Sequence, residues 1–431
     1  MQRSIMEHLL LNLKCRLNLF VRNPVLISSL VLSLDIAGLT VVFGAAGSGS
    51  VQPYLGKRTR IIPFIRHGNH ILLAVRVNDS QPLRFVLDTG ASASVISKKA
   101  AELAGLNVKG QHRVSNLGTG EGDPTISRSE NVTLILNDIR IQKKEIAVIS
   151  FDTLEHAVGY SIDGILGAEI FKRYVVELDY NENQLALSEP DSYRYEGRGQ
   201  ALPIELKNDR PFLKATALIP GAEPIEGSFV IDIGAQGTMS LQSPIVEKYR
   251  LLTANRKSIE HFAHGAAGEA PEMLVRAESL RLGTFTINNP VVALSTATKG
   301  STADSSYKGV IGAGILNRYR VTILYYQKQL ILEPTPACNE PFEADMSGGS
   351  LIATGPDFKV FVIEHVVANS PMFEAGLRAG DIITSINGKP AEAYTLDDIR
   401  EMFKRDGQQY KLDVKRGSEL LNVTVRLRKL I

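Results

Sequence analysis

The 431-residue sequence predicts a mainly β chain in which one unit occurs twice and a small, different α+β unit follows. The first observation is internal similarity. "FVLDTGASASVIS" (85–97) has an echo in "FVIDIGAQGTMSL" (229–241), and "DGILGAEIFKRYVVELDYNENQLAL" from Asp163 has one in "KGVIGAGILNRYRVTILYYQKQLIL" from Lys308. Asp88 maps to Asp232 at an offset of 144, and Gly164 and Gly167 map to Gly309 and Gly312 at 145, so two separated segments recur at nearly one spacing. That is the mark of a duplicated unit. The second observation is period-two alternation of apolar residues between glycine-rich turns, with 36 glycines in all. The third is a change of composition after Pro334, beyond which no further copy appears.

In chain order, residues 1–50 read as an export segment. A basic stretch ends at Arg22 and Asn23, the apolar run Pro24 to Phe43 follows, and "GAAGSGS" offers a small-x-small cleavage site after Ala46. The same apolar run is long enough to be an uncleaved membrane anchor, although Asp35 at its middle would cost about 2.5 to 3.5 kcal/mol there. Either reading places the body outside the cytoplasm, in the periplasm or cell envelope. The net charge of +2 comes from this segment, where Arg3, Lys14, Arg16 and Arg22 face Glu7 and Asp35. Residues 51–431 are neutral, which gives no electrostatic reason to expect nucleic-acid binding. Of the two cysteines, Cys15 lies in the leader and Cys338 is left unpaired, so neither an intrachain disulfide nor a cysteine-based zinc site is expected. No cofactor and no metal-binding residue is assigned.

The first unit is expected over 51–198 and the second over 199–335. "ILLAVRVN" alternates as a half-buried strand, "NDSQP" is a tight turn, and the next strand delivers Asp88 at its end. In the second unit "PFLKATAL" is the first strand, "IPGAEPIEG" a longer turn, and "SFVID" delivers Asp232. Each unit also carries a glycine-rich stretch, "NLGTGEGDP" from Asn116 and "AHGAAGEAP" from Ala263, which read as hairpin tips.

Two aspartates held side by side about 3 Å apart cannot both ionise comfortably and therefore share a proton. The ionised member can take a proton from a water as it attacks an amide carbonyl, while the protonated one hydrogen-bonds to the carbonyl oxygen. The titration belongs to the pair. Gly90 and Gly234 allow sharp turns beside each carboxylate, and Ala91 and Ala235 keep the floor narrow.

"LDTGA" and "IDIGA", each followed in its own half by an apolar-apolar-Gly motif ("GILG", "GVIG"), resemble the retropepsin and pepsin class of aspartic proteases over roughly residues 60–334. Alanine after both Asp-x-Gly motifs and a glycine-rich stretch in both halves resemble the retropepsin type more closely. The resemblance implies two β-barrel lobes, catalytic residues Asp88 and Asp232, flaps around Gly118, Gly120, Gly265 and Gly268 that close over an extended peptide, and support of the aspartate loops by Gly167 and Gly312. In the family a hydroxyl usually follows both aspartates and the two grip each other across the axis. Here Thr89 keeps it and Ile233 lacks it, which forfeits about 1 to 3 kcal/mol if a buried group is left unpaired.

The segment 336–350 reads as a polar linker and 351–431 as a second domain. There Ser370 caps a helix opened by Pro371, Thr395 opens another with Asp398 as capping-box partner, and two alternating strands end the chain. "SPMFEAGLRAGDIITSING" resembles the bacterial PDZ domain, which binds an extended peptide as an added strand beside a helix. The family's carboxylate-binding loop would fall at Gly355, Pro356, Asp357 and Phe358, in a departure from the usual Gly-Leu-Gly-Phe. Together these readings imply an exported aspartic endopeptidase acting on peptide or unfolded protein, with a PDZ domain that recruits a peptide or protein partner. The alternative is a non-catalytic peptide-binding scaffold using the same cleft and groove.

Overall fold

The computed structural model describes residues 59–115 and 117–431, together with two short paired strands at Asp35–Ile36 and Leu39–Thr40. Apart from those four residues, the expected leader or anchor lies outside the described residues. Residues 1–55 and 56–431 are separate compact units, and both repeats and the C-terminal domain belong to the second. No helix among the described residues is long and apolar enough to cross a membrane.

The two repeats fold with one wiring. In the first, strand Leu83–Leu87 carries Asp88 at its end and runs parallel to Gly164–Leu166, with Phe85 opposite Gly164. In the second, Ile225–Asp232 runs parallel to Gly309–Gly312, with Phe229 opposite Gly309. A short strand after each aspartate loop, Val95–Ser97 or Met239–Leu241, pairs antiparallel with that glycine strand and parallel with another. The first sheet closes on itself where His70–Val77 pairs with both Leu83–Leu87 and Thr125–Leu136. Alternation decides the strand faces: Ile71, Leu73, Val75 and Val77 are all buried while Ala74 and Arg76 are exposed.

Beneath the two lobes lies an antiparallel layer to which both contribute, in the order Arg60–Pro63, Gln184–Ser188, Val175–Asp179, Tyr319–Leu324, Gln329–Pro334, Gln200–Lys207. At its middle Val176, Glu177 and Leu178 pair with Ile323, Thr322 and Val321. The 145-residue offset maps Glu177 onto Thr322, so the pseudo-twofold axis of the duplication runs through this pair. One hydrophobic core extends through both halves, from Ile71 and Phe85 to Phe229 and Ile315.

The expected linker 336–350 is held at both ends. Phe342 is buried in the lobe core with the Arg318 guanidinium 3.5 Å from its ring centre, and Met346 belongs to the core of the C-terminal domain. In that domain the strands lie in the order Gly349–Thr354, Val360–Val366, Ile382–Ile386, Gln409–Arg416, Glu419–Arg426, with Gly349–Thr354 at the edge. Both helix starts form as their side chains dictate. Ser370 Oγ accepts from Phe373 N at 3.3 Å, and Thr395 and Asp398 make the reciprocal capping box at 3.1 and 2.8 Å.

Candidate functional site: a paired carboxylate cleft

The two aspartate loops meet across the pseudo-twofold axis. A Cβ added at Gly90 would collide with the Asp232 carboxylate, and one at Gly234 with that of Asp88, so glycine at both positions is what lets each loop lie against the opposite acid. Asp88 Oδ1 accepts from Gly90 N at 2.6 Å and Ala91 N at 3.2 Å. Asp232 Oδ1 accepts from Gly234 N at 2.9 Å and Ala235 N at 3.0 Å. Both carboxyls titrate above the usual carboxylate range. For Asp88 the causes are burial, the charge of Asp232 and a hydrogen bond between the two side chains. For Asp232 burial also raises the pKa, opposed by the Asp88 hydrogen bond, the loop amides and the Arg210 charge. The two carboxyls therefore share one proton, and the titration belongs to the pair.

Thr89 is fully buried and grips the opposite loop. Its hydroxyl donates to Ile231 O at 2.7 Å and accepts from Ile233 N at 3.1 Å. Ile233, equally buried, has no hydroxyl to return and joins the lobe core instead. Gly167 and Gly312 back the loops at close range. Ala168 N donates to Ala91 O at 3.0 Å, Gly312 N to Thr238 O at 2.8 Å and Ala313 N to Ala235 O at 2.8 Å.

Sequence reasoning missed the two residues that make the halves unlike. His70 is buried at the start of its strand, with Nε2 2.8 Å from Gly234 O and Nδ1 2.5 Å from Tyr160 Oη. Burial is the first cause that brings its pKa down to about 4, so at neutral pH it is an uncharged imidazole tying lobe one to the second aspartate loop. Leu72 pairs with Val86 and Phe212 with Val230, each two residues before an aspartate. The residue equivalent to His70 is thus Arg210, whose charge acts on Asp232 and Tyr307. The offset between these two is 140 rather than 144, because the paired strands of that hairpin run further in the second half; the unequal spacing hid the match.

Above the acids the two glycine-rich tips interlock. Ala267 N donates to Thr119 O at 2.9 Å, Gly122 N to Ala267 O at 2.8 Å, Glu121 N to Glu269 O at 3.0 Å and Ser301 N to Gly118 O at 3.0 Å. Gly120 lies so close to Ala267, and Gly265 to Thr119, that neither tolerates a side chain without movement. Gly118 and Gly268 turn through positive φ. Between tips and acids runs a cleft of about 1830 Å³.

The C-terminal domain walls one end of this cleft with Gly348, Ser350 and Arg400. Helix Asp152–Val158 of the first lobe packs on its edge strand Gly349–Thr354. Arg400, from helix Leu396–Met402, donates both to Ala157 O at 2.6 Å and to Leu351 O at 2.9 Å, so an edge-strand carbonyl that strand addition would use is already engaged. The expected carboxylate loop needs correction. Gly355 to Phe358 form the tight turn that joins the edge strand to the next one, with Phe358 N donating to Gly355 O at 3.3 Å and the Phe358 ring beside His156, away from the cleft. Convergent amides occur at the other end of the strand. There Ser347 N and Gly348 N donate to Asp345 Oδ1 at 2.8 and 2.9 Å, so this chain's own carboxylate fills the nest.

Comparison with known proteins gives two family matches. Residues 73–170 match the family model described as aspartyl protease, and residues 332–427 match that of the PDZ domain. The chain thus carries an aspartyl protease domain and a PDZ domain. Curated relatives include the probable CtpA-like serine protease of Staphylococcus aureus strain COL, 28% identical over 106 residues, or 24% of this chain and 21% of that one. The protein of the same name from Staphylococcus haemolyticus strain JCSC1435 is 26% identical over 106 residues, with the same shares. The chain spans about a fifth of the length of these relatives. Among solved structures, the aspartic proteinase from Irpex lacteus aligns over 65% of this chain and 99% of its own, at 15% identity and a TM-score of 0.44.

Proposed function

We propose that the chain is an aspartic endopeptidase, a role supported above all by the reciprocal packing of Gly90 on Asp232 and Gly234 on Asp88, which brings two desolvated carboxyls together at the floor of a cleft. A water held between them loses a proton to the ionised carboxylate as its oxygen attacks the amide carbon. The protonated member hydrogen-bonds to the carbonyl oxygen and passes its proton to it. As the C–N bond of the tetrahedral diol breaks, the pair gives one proton to the departing nitrogen and takes one from a diol hydroxyl, so that it again shares one. The serine-type name of the curated relatives attaches to proteins that this chain matches over a fifth of their length, and it does not decide the chemistry here.

The interlocked tips must part for a peptide to enter and then close over it, which excludes water from all but the reacting position. In this reading the PDZ domain lines the cleft and contacts one arm of the substrate near Gly348 and Ser350, while the basic-then-apolar leader directs the body out of the cytoplasm. Asp88→Asn and Asp232→Asn should each lower cleavage of a diverse peptide pool by at least about 10²- to 10⁴-fold, with unchanged circular dichroism. Products read by mass spectrometry decide the matter. Cleavage that survives either substitution would refute the dyad. Tight peptide binding without turnover by the wild type would instead support the scaffold reading, for which the missing hydroxyl at Ile233 is the favouring observation.

A further inference from the structure

The second tip hairpin, Ile259–Gly265 with Gly268–Arg276, carries a feature unrelated to the carboxylate pair. His264 and Glu269 are directly opposite each other in that hairpin, so their side chains emerge side by side on one face. Facing them are Glu364 and His365 from strand Val360–Val366 of the PDZ domain. Consecutive strand residues ordinarily point to opposite faces. Here the register slips: Ser350 pairs with His365 and Leu351 with Ile363, which leaves Glu364 as the extra residue of a β-bulge. Bulges of this kind re-aim side chains, and this one lets 364 and 365 both reach toward the hairpin.

From this juxtaposition we infer a divalent-cation site of the zinc class, with His264, Glu269 and Glu364 as ligands and His365 beside them. His264 Nε2 lies 3.1 Å from Glu364 Oε2 and 3.6 Å from Glu269 Oε1, and His365 Nε2 lies 3.5 Å from Glu269 Oε2. A tetrahedral ion with bonds of about 2.0 to 2.1 Å separates its ligand atoms by about 3.3 Å, and the two separations from His264 Nε2 lie on either side of that length. Only 10% of the His264 side chain is exposed, yet no acceptor is aligned for a hydrogen bond with Nε2 of either His264 or His365. Two buried imidazole nitrogens aimed at two carboxylates, without hydrogen-bond alignment, suit a cation between them. The rest of the surroundings fixes the ligands. Phe262 stacks on His365 with ring centres 4.0 Å apart, and Ser350 Oγ donates to Glu364 Oε2 at 3.5 Å. The ion would clasp the second tip hairpin to the PDZ domain and so fix the roof of the cleft, which His264 and His365 line.

The test uses the full chain, Zn²⁺ alone as probe, and isothermal titration calorimetry at neutral pH after treatment with EDTA. One Zn²⁺ should bind per chain, and His264→Gln and Glu364→Gln should each weaken binding by at least about 10-fold. Zn²⁺ should also raise the melting temperature of the wild type by mass action, and Co²⁺ should bind at the same stoichiometry with a visible d–d spectrum absent from the two variants. Failure of the wild type to bind Zn²⁺ overturns the assignment. So does affinity undiminished in variants that melt in EDTA at the wild-type temperature. An unchanged wild-type melting temperature in excess Zn²⁺ overturns it independently of any substitution.

Discussion

Thr89→Val tests the one-sided grip directly, because valine keeps the shape and removes only the hydroxyl. Two groups lose a partner, the Ile233 N–H and the Ile231 carbonyl, and Thr89, Ile231 and Ile233 are all buried at 0 to 1% exposure. An orphaned buried group costs about 1 to 3 kcal/mol. The N–H has a single donor and carries its full cost, whereas Ile231 also sits in the parallel ladder opposite Ile311, which places the carbonyl at the lower end. We expect a loss of about 2 to 4 kcal/mol from the pair, with no added cavity term since the volume is conserved. Thr89→Ser keeps both hydrogen bonds and gives up one methyl, worth about 0.8 kcal/mol. Urea unfolding followed by circular dichroism and by tyrosine fluorescence reads the difference, the chain having 13 tyrosines and no tryptophan. If Thr89→Val were no less stable than Thr89→Ser, the hydroxyl would not be holding the loops, and the rigidity ascribed to it would have to come from Gly167, Gly312 and the His70 contact with Gly234 O.

Three further outcomes stem from the electrostatics of the pair. Because both carboxyls titrate above the ordinary range, kcat/KM should be bell-shaped with its alkaline limb well above the ordinary carboxylate region near pH 4; an alkaline limb at that ordinary value would refute the shared proton. The same shift has a sign for stability. A carboxyl whose folded pKa is raised stabilises the fold below its unfolded pKa, and the contribution is lost as pH rises through the folded value, so Asp88→Asn should be more stable than the wild type on the alkaline side of that window in urea titrations. Arg210→Gln removes the cation that favours ionised Asp232, so the acid limb of the profile should move up; an unmoved limb would show that Arg210 does not bias the pair.

Motifs that act through their own backbone were legible in the sequence. Asp-x-Gly followed by an apolar-apolar-Gly strand builds its loop from local residues, and duplication announced that two such loops would meet. The caps at Ser370 and Thr395 were legible for the same reason, since each needs a donor only three residues away. What stayed hidden depends on contacts that spacing does not encode. His70 acts on Gly234, far along the chain, and its equivalent Arg210 is displaced by a longer paired hairpin. The PDZ loop was placed at Gly355 to Phe358 by analogy of composition, whereas strand order puts the convergent amides before the edge strand, at Ser347 and Gly348. The His264, Glu269, Glu364 and His365 cluster needs a bulge and an interdomain contact, neither of which leaves a periodic trace.

The pairing of Glu177 with Thr322 shows what a single covalent chain permits. Two identical first halves docked about the same axis would set one Glu177 opposite another, and burial already raises the pKa of that carboxyl. Like charges directly opposed across strands are destabilising. Fusion frees each copy to drift: the threonine relieves the repulsion at the base, and the same licence lets histidine answer arginine and isoleucine answer threonine around the acids. A homodimer gives its two aspartates identical surroundings until a ligand breaks the tie. This chain gives its two aspartates unlike surroundings in its own covalent sequence, before any peptide arrives.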